Sequence, residues 1–289
     1  MRKLLLSAAA LLLTSAARAD ENGYGYWLPP DVSLNGHEID HGFYLMHWVM
    51  LFLFVVWTGL VLYCIARFRA RDGHKASYVG APVKIGLITA VAMLVFELGD
   101  LFLVSQKTWA KITMDFPPEN QSVVIEVVAE QFQWNVHYPG PDGKFGKFDN
   151  AKIDSENPIG LDRDDPDAKD DITTVGDLHI PVGKPVIVKT RSKDVIHSFF
   201  IPVMRVKRDV VPGLNGKVWM QATRAGKFEI ACAQLCGLGH ARMSGQFTVD
   251  EPADFEKWLV DNAPPSAAPE PAPTVAPTPE PKKKKGAKK

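Results

Sequence analysis

Two long apolar runs in the first third of the chain predict two membrane-spanning helices. The first run, residues 42–66, contains no Lys, Arg, Asp or Glu, and a second of similar length lies between Lys84 and Lys107. About 20 apolar residues are enough to cross a bilayer as a helix. We assign the spans to residues 44–66 and 85–106, which predicts a two-helix transmembrane hairpin.

The charges that flank these runs predict their orientation. The loop at residues 67–84 carries five basic residues against one acid, whereas residues 20–43 carry five acids and no Lys or Arg. Basic loops remain on the cytoplasmic side of a membrane. We therefore expect a cytoplasmic loop, an outer N-terminal segment at residues 20–43, and everything after the second span in the periplasm or its equivalent.

The second run contains two acids, Glu97 and Asp100. An acid inside a span is costly and usually faces protein or water, so the pair points to a larger membrane partner. For Asp100, a position near the outer end of the span is an equal alternative. A role for either acid in proton uptake is a hypothesis.

The two ends of the sequence predict segments outside the folded part. Residues 1–19 have a basic start, a Leu- and Ala-rich stretch and Ala-Arg-Ala before Asp20, which is typical of a cleavable export signal. An uncleaved first anchor is the alternative. Residues 264–289 form a Pro- and Ala-rich linker with a Lys-rich tail, too poor in apolar bulk to fold.

Short stretches rich in β-branched residues, separated by Pro and Gly, follow the second span. They lie at residues 122–128, 134–138, 185–190, 217–220, 227–231 and 245–249. This pattern predicts an all-β sandwich or barrel over residues 117–250 rather than alternating strands and helices. A short amphipathic helix at residues 251–263 is expected to close the domain.

The acid-rich stretch at residues 154–171 interrupts the predicted strands and is expected to be a surface loop. It is either simply solvated or a docking surface for a basic partner. The whole chain of 289 residues has 33 basic and 33 acidic side chains, so its net charge indicates no class of partner. Three cysteines are too few for a disulfide framework in a domain of this size.

One short segment concentrates groups that bind metals. Cys232, Cys236, His240 and Met243 offer two thiolates, an imidazole and a thioether within twelve residues. Soft sulfur ligands together with imidazole select copper over hard cations. A mononuclear copper site would leave one cysteine over, so the two thiolates predict a bridge between two copper ions. A disulfide, a zinc site and buried free cysteines are the alternatives.

A second imidazole must come from elsewhere, and His197 in the motif Asp-Val-Ile-His-Ser-Phe at 194–199 is the best candidate. With this motif, the segment Arg-Val-Lys-Arg-Asp-Val-Val-Pro-Gly at 205–213, the two spans and the metal-binding loop, the sequence resembles subunit II of the haem-copper cytochrome c oxidases. The resemblance implies a cupredoxin-like Greek-key fold and a binuclear copper centre, CuA. That centre accepts electrons from cytochrome c and passes them to haem in subunit I, where oxygen is reduced and protons are pumped.

The resemblance also implies a role for each ligand. Cys232 and Cys236 bridge both copper ions, and the remaining ligands are His197 and Met243 on one ion and His240 with the carbonyl of Gln234 on the other. The family usually has Glu where Gln234 stands, and that side chain helps to bind magnesium at the subunit I interface. We therefore expect weak or absent magnesium in this protein.

A second departure concerns electron uptake. The family's aromatic motif reads Gln-Trp-Tyr-Trp, whereas this chain has Gln-Phe-Gln-Trp at 131–134, so Phe132 occupies the position of the usual tryptophan. Our hypothesis is that Phe132 or Trp134 lies between the protein surface and copper.

The resemblance implies oxidase subunits I and III, a lipid bilayer and cytochrome c as partners, in a bacterial inner membrane, and no nucleic acid. No Cys-x-x-Cys-His haem motif occurs, so the expected donor is a separate cytochrome c or a complex that contains one. The alternative function is a membrane-tethered copper carrier or assembly protein. A quinol oxidase subunit lacks the copper ligands, and nitrous oxide reductase needs a further large catalytic domain.

Overall fold

The computed structural model describes residues 28–265 except 74, 76–78 and 81. The expected export signal at residues 1–19, residues 20–27 and most of the expected tail at 264–289 lie outside the described residues.

The apolar runs form long helices. Helix α1 is Gly36–Arg67, and α2 is Val83–Asp100, which continues through a π-helical turn at Leu101–Ser105 into α3, Gln106–Thr113. Both α1 and the continuous stretch of residues 83–113 are long and apolar enough to cross a membrane. The two spanning helices of the predicted fold are confirmed.

The helices differ in their bounds from the assigned spans. Helix α1 begins at Gly36 rather than at residue 44, because a polar first turn extends it from the apolar run toward the β-domain. The second helix continues past residue 106 to Thr113. A π-helical turn interrupts it, and there the Ser105 hydroxyl donates to the Asp100 carboxylate over 2.9 Å.

The outer part of the chain consists of two five-stranded sheets. One sheet has the order β3-β2-β1-β5-β8 and the other β4-β10-β9-β6-β7. The strands are β1 Val123–Glu130, β2 Gln133–Tyr138, β3 Ile172–Val175, β4 Asp177–Pro181, β5 Val186–Ser192, β6 His197–Ile201, β7 Val206–Val210, β8 Gly216–Met220, β9 Gly226–Cys232 and β10 Ser244–Asp250. Helix α4, Pro252–Asp261, follows them. The all-β prediction is confirmed, and α4 lies within residues 251–263, where the sequence predicts a closing helix.

The chain passes repeatedly from one sheet to the other, which places one large apolar core between them. Strands β1 and β5 are parallel, as are β4 and β10, and the remaining pairs are antiparallel. Trp134, Phe199 and Phe247 are among the largest fully buried side chains. Burying a large apolar side chain contributes about 1.5 to 3 kcal/mol, so this core is the main source of stability for the domain.

The acid-rich stretch at residues 154–171 is only partly the predicted surface loop. Ile159, Leu161 and Ala168 are buried with Val128 in a second, smaller apolar cluster. Asp171 at its end is fully buried. The predicted surface loop does not extend to this end, because Asp171 has buried polar partners that its neighbours in the sequence do not show.

The main buried partner of Asp171 is His137 on β2. The His137 Nε2 atom lies 2.7 Å from Asp171 Oδ2, and its Nδ1 lies 3.3 Å from Glu126 Oε2. Burial by itself lowers the pKa of His137, but hydrogen bonds and charge from the two carboxylates outweigh it and raise the pKa above the ordinary 6.5. The contact between His137 and Asp171 holds the end of the long β2–β3 connection against the sheet.

We predict that His137→Gln destabilises the protein more at acid than at alkaline pH. A raised folded-state pKa contributes stability that is fully present below 6.5 and is lost as the pH rises through the folded value. Below 6.5 we expect a loss of about 3 kcal/mol, the scale for breaking a buried ion pair. The measurement is the unfolding free energy of the unaltered protein and of His137→Gln at a series of pH values on both sides of 6.5. If the two proteins differ by the same amount at every pH, the prediction is contradicted.

Candidate metal centre

The metal-binding loop lies between two paired strands. Strand β9 ends at Cys232 and β10 begins at Ser244, and the two strands pair antiparallel with Ser244 opposite Ala231. The Cys232 amide donates to the Met243 carbonyl over 3.2 Å across the base of the loop. Both ends of the loop are therefore held in register by the sheet.

The adjacent strand brings His197 to this loop. Strand β6 pairs with β9, with Phe199 opposite Cys232, and His197 is the first residue of β6. His197, which lies 35 residues before Cys232 in the sequence, is therefore on the strand next to it in the sheet. This pairing explains why spacing along the chain alone did not identify it.

The sulfur and nitrogen atoms of the cluster lie close together. The Sγ atoms of Cys232 and Cys236 are 3.9 Å apart, and Cys236 Sγ lies 3.6 Å from His240 Nδ1 and 3.7 Å from Met243 Sδ. A ring nitrogen of His197 and the two Sγ atoms all lie within 4.8 Å of one another. The structure thus brings together every side chain that the sequence singled out as a copper ligand.

The backbone of Gln234 also faces the cluster. Its carbonyl oxygen lies 3.2 Å from Cys232 Sγ, while the residue itself is exposed. The carbonyl oxygen of Gln234 is therefore placed to take part in the cluster beside Cys232.

His197 has one ring nitrogen without a partner. The ring is fully buried, its Nε2–H donates to Asp194 Oδ1 over 2.9 Å, and its Nδ1 is buried without a hydrogen bond. An unpaired buried polar atom costs about 1 to 3 kcal/mol. A metal ion bound at Nδ1 would satisfy that lone pair, so the site fits a metal on an observation of the fold itself.

Asp194 fixes the orientation of this imidazole. Its carboxylate accepts from His197 and also from the backbone amides of Gln131 (2.7 Å) and Val195 (2.6 Å). Partial burial opposes ionisation, but these hydrogen bonds hold the pKa of Asp194 below its ordinary value. Such outer partners set the tautomer and direction of a ligating histidine. Asp194 belongs to the motif at 194–199, three residues before His197, but the sequence alone did not predict this role for it.

The state of the two cysteines distinguishes among the alternatives. Both are free, so a disulfide does not describe this site. Burial and the neighbouring Cys232 raise the pKa of the Cys236 thiol to about 11. The thioether of Met243 points into the cluster and is almost fully buried, which an ordinary zinc site would not use.

Two aromatic residues lie beside the cluster at different depths. Phe132 is partly exposed and packs on the loop, where a Cβ added at Gly239 would lie 2.4 Å from its ring. Trp134 is fully buried, with its ring centroid 6.2 Å from that of His197. Phe132 thus lies at the surface and Trp134 in the interior.

Glu97 and Asp100 lie on α2 and are not members of the metal-ligating cluster.

Two packed sheets joined to two membrane-spanning helices, with a buried imidazole and sulfur cluster, define a membrane-anchored cupredoxin-like protein. Residues 123–248 match the family model for the periplasmic domain of cytochrome c oxidase subunit II. The alternative cytochrome c oxidase subunit 2 of Bradyrhizobium diazoefficiens is 33% identical over 247 residues, which cover 81% of this chain and 83% of that relative. The chain belongs to the cytochrome c oxidase subunit II family.

A further relative and a solved domain are also similar to this chain. Cytochrome c oxidase subunit 2 of Cereibacter sphaeroides is 28% identical over 283 residues, 87% of this chain and 88% of the relative. The solved periplasmic domain of subunit II of cytochrome oxidase from Bradyrhizobium japonicum covers 51% of this chain and 96% of its own length, at 27% identity and a TM-score of 0.38. The family suggested by the sequence motifs is confirmed by the sequence relatives.

We predict that Gly239→Ala disturbs the packing of Phe132 on the metal-binding loop. The new methyl group would lie 2.4 Å from the ring, and overpacking of this kind costs about 1 to 3 kcal/mol. Unfolding free energies of Gly239→Ala, Phe132→Ala and the double variant measure the effect. The double variant should lose less than the sum of the single losses, and strict additivity would contradict the contact.

Proposed function

We propose that the cluster holds a binuclear CuA centre, and that the chain is the electron-accepting subunit of a cytochrome c oxidase. When bound, the two copper ions supply one-electron transfer from cytochrome c toward haem in subunit I, where oxygen is reduced to water and protons are pumped. The observation that carries the proposal is the buried, unpaired Nδ1 of His197, on a ring that lies in one group with two free thiols. Membership of the family supports it.

The ligand roles are those that the family resemblance implies, and the contacts within the loop support them. Cys232 and Cys236 would hold both ions, since their Sγ atoms lie 3.9 Å apart, one near the Gln234 carbonyl and the other near His240. His197 and Met243 would complete one copper ion. His240 and the Gln234 carbonyl would complete the other.

The protein's own contribution is to bury half of this ligand set and to hold the loop that carries it. His197, Cys236 and Met243 are all buried, and β-sheet pairing holds both ends of the loop. A ligand set that cannot move changes little between oxidation states, and the buried surroundings also tune the potential. The same burial disfavours the alternative function as a copper carrier, which must release its metal.

The surface near the loop suggests where a donor would contact the chain. Leu235 and Leu238 on the loop are strongly exposed, and Phe132 is partly exposed beside them. Exposed apolar residues that cluster in this way mark interaction sites more often than isolated ones. We propose that cytochrome c docks here and that Phe132, rather than the buried Trp134, forms the outer end of the electron path.

The wider setting of the chain is proposed on the same basis. The two helices would lie in a bacterial inner membrane against subunits I and III, with the copper domain and the C-terminus on the periplasmic side. This orientation follows from the basic loop at residues 67–84. A contribution of Glu97 or Asp100 to proton uptake remains a hypothesis.

We predict that metal analysis of the oxidase gives two copper ions assigned to this subunit, with an EPR signal in which one unpaired electron is shared by both. Cys236→Ser should abolish the shared signal, because it removes one of the two bridges. Lys257→Ser, on the distant exposed face of α4, is the control and should leave it intact. One copper ion, or one zinc ion, would contradict the proposal.

Metal analysis of the oxidase also tests whether the protein binds magnesium weakly or not at all beside Gln234. Because Gln234 offers a neutral amide where a carboxylate would bind a hard cation, we expect no tightly held magnesium at this contact. Gln234→Glu should raise magnesium retention. A stoichiometric, tightly held magnesium in the unaltered protein would show that the amide is no obstacle.

We predict that replacing both Phe132 and Trp134 by Leu slows electron uptake from cytochrome c. Rapid-mixing measurements of copper reduction check this, with the copper spectrum as the test that the site is intact. The two single variants show which residue matters more. Phe132→Leu alone should cause most of the decrease in the rate of copper reduction by cytochrome c. Unchanged uptake in the double variant would remove both residues from the path.

A further inference from the structure

Arg205 lies at an unusual position between the metal-bearing sheet and the first membrane helix. It follows the short turn Pro202–Met204 at the end of β6, the strand that begins with His197. Its backbone has φ of 55°, in the left-handed region, and it is the one non-glycine residue with positive φ in the described part of the chain. L-residues rarely adopt this conformation without compensating contacts.

The compensating contacts come from the Arg205 side chain. Its guanidinium donates to both carboxylate oxygens of Asp40, Nε to Oδ1 over 2.7 Å and Nη2 to Oδ2 over 2.8 Å. It also donates to the carbonyls of Pro29, Pro30 and Pro202 over 2.7, 3.4 and 2.7 Å. A guanidinium has five N–H donors, and these five hydrogen bonds use all of them.

Three different parts of the chain meet at this one side chain. Asp40 belongs to α1, the first membrane-spanning helix, while Pro29 and Pro30 belong to the segment that precedes it. Pro202 belongs to the turn after β6. The guanidinium therefore joins the outer end of a membrane helix to the strand that carries His197, and a bidentate pair fixes direction as well as distance.

The neighbouring segment is attached to the same sheets. Val32 is fully buried in the core; its amide donates to Val203 over 3.0 Å and its carbonyl accepts from Thr223 over 2.8 Å. In the first turn of α1, the Glu38 carboxylate accepts a hydrogen bond from the Lys111 ammonium group on α3 over 2.6 Å. Both membrane helices are thus tied together close to where Arg205 engages Asp40.

We propose that Arg205 is a positioning residue that locks the copper-bearing domain to the outer end of α1 in one orientation. The proposal rests on the proposed function, since orientation matters only if electrons leave the domain for a membrane-embedded acceptor. Electron transfer between fixed sites depends on their separation. A domain free to tilt on its connecting segments would spend part of its time too far from that acceptor.

The test uses Arg205→Gly and Asp40→Asn in the complete oxidase. Glycine accepts a positive φ without strain, so Arg205→Gly removes the contacts but keeps the backbone conformation. Asp40→Asn changes only α1 and leaves the sheets untouched. Asp261→Asn, at the exposed end of α4, is the matched loss of a carboxylate outside α1.

Two readouts separate positioning from damage to the copper site. In both variants the copper spectrum and the rate of reduction by cytochrome c should stay unchanged, while transfer from copper to haem should slow by about fivefold or more, the lower end of ordinary coupling between two states. In the copper-free chain, hydrogen exchange at the amides of Val32 and Leu34 should accelerate. Asp261→Asn should alter neither.

A charge reversal provides the rescue. Arg205→Asp combined with Asp40→Arg restores an ion pair between the same two positions, and aspartate is among the residues that tolerate positive φ. Partial recovery of the copper-to-haem rate supports the proposal. Unchanged transfer and unchanged exchange in Asp40→Asn alone would overturn it, whether or not Arg205→Gly assembles. Absence of copper from the unaltered protein would instead refute the proposed function.

Discussion

The antiparallel pairing of β9 with its neighbours is the constraint on which the site depends. This strand ends at Cys232, pairs with β10 on one side and with β6 on the other, and so brings both ends of the loop and His197 to one place. A loop with two thiols would otherwise be free to form a disulfide or to lie open to water. Because the sheet fixes its two ends, the sulfur atoms face a buried imidazole instead.

Two buried side-chain nitrogens in or beside this cluster have no hydrogen-bond partner among the described residues, His197 Nδ1 and Trp134 Nε1. Asp194, by contrast, accepts four hydrogen bonds, and its pKa lies below the ordinary value despite partial burial. Buried polar atoms in folded proteins are nearly always satisfied. The indole nitrogen of Trp134 is a donor only and cannot bind a metal, whereas His197 lies in one group with both cysteines that could hold a metal ion. The unpaired Nδ1 of His197 therefore points to a bound metal.

The sequence predicted the local chemistry better than the long-range pairing. Two cysteines, a histidine and a methionine within twelve residues could be recognised because ligands on one loop share one segment of sequence. His197 could be chosen only through a family resemblance, since strand pairing is invisible to spacing. The predicted stretches did not include strands β3, β4, β6 and β7. For β6 and β7 the reason is that neither shows simple alternation: β6 is almost wholly buried, and β7 is exposed through its middle. The burial of Asp171 was not predicted, because charged side chains normally lie at the protein surface.

The central claim is that two metal ions lie between Cys232 and Cys236. Crystals of the oxidase with anomalous data on both sides of the copper absorption edge test it most directly, because they locate each ion and identify the element. We expect two separate copper peaks flanked by the two sulfur atoms, with His197 Nδ1 directed at one of them. A single peak, or a signal that does not change across the copper edge, would contradict the account.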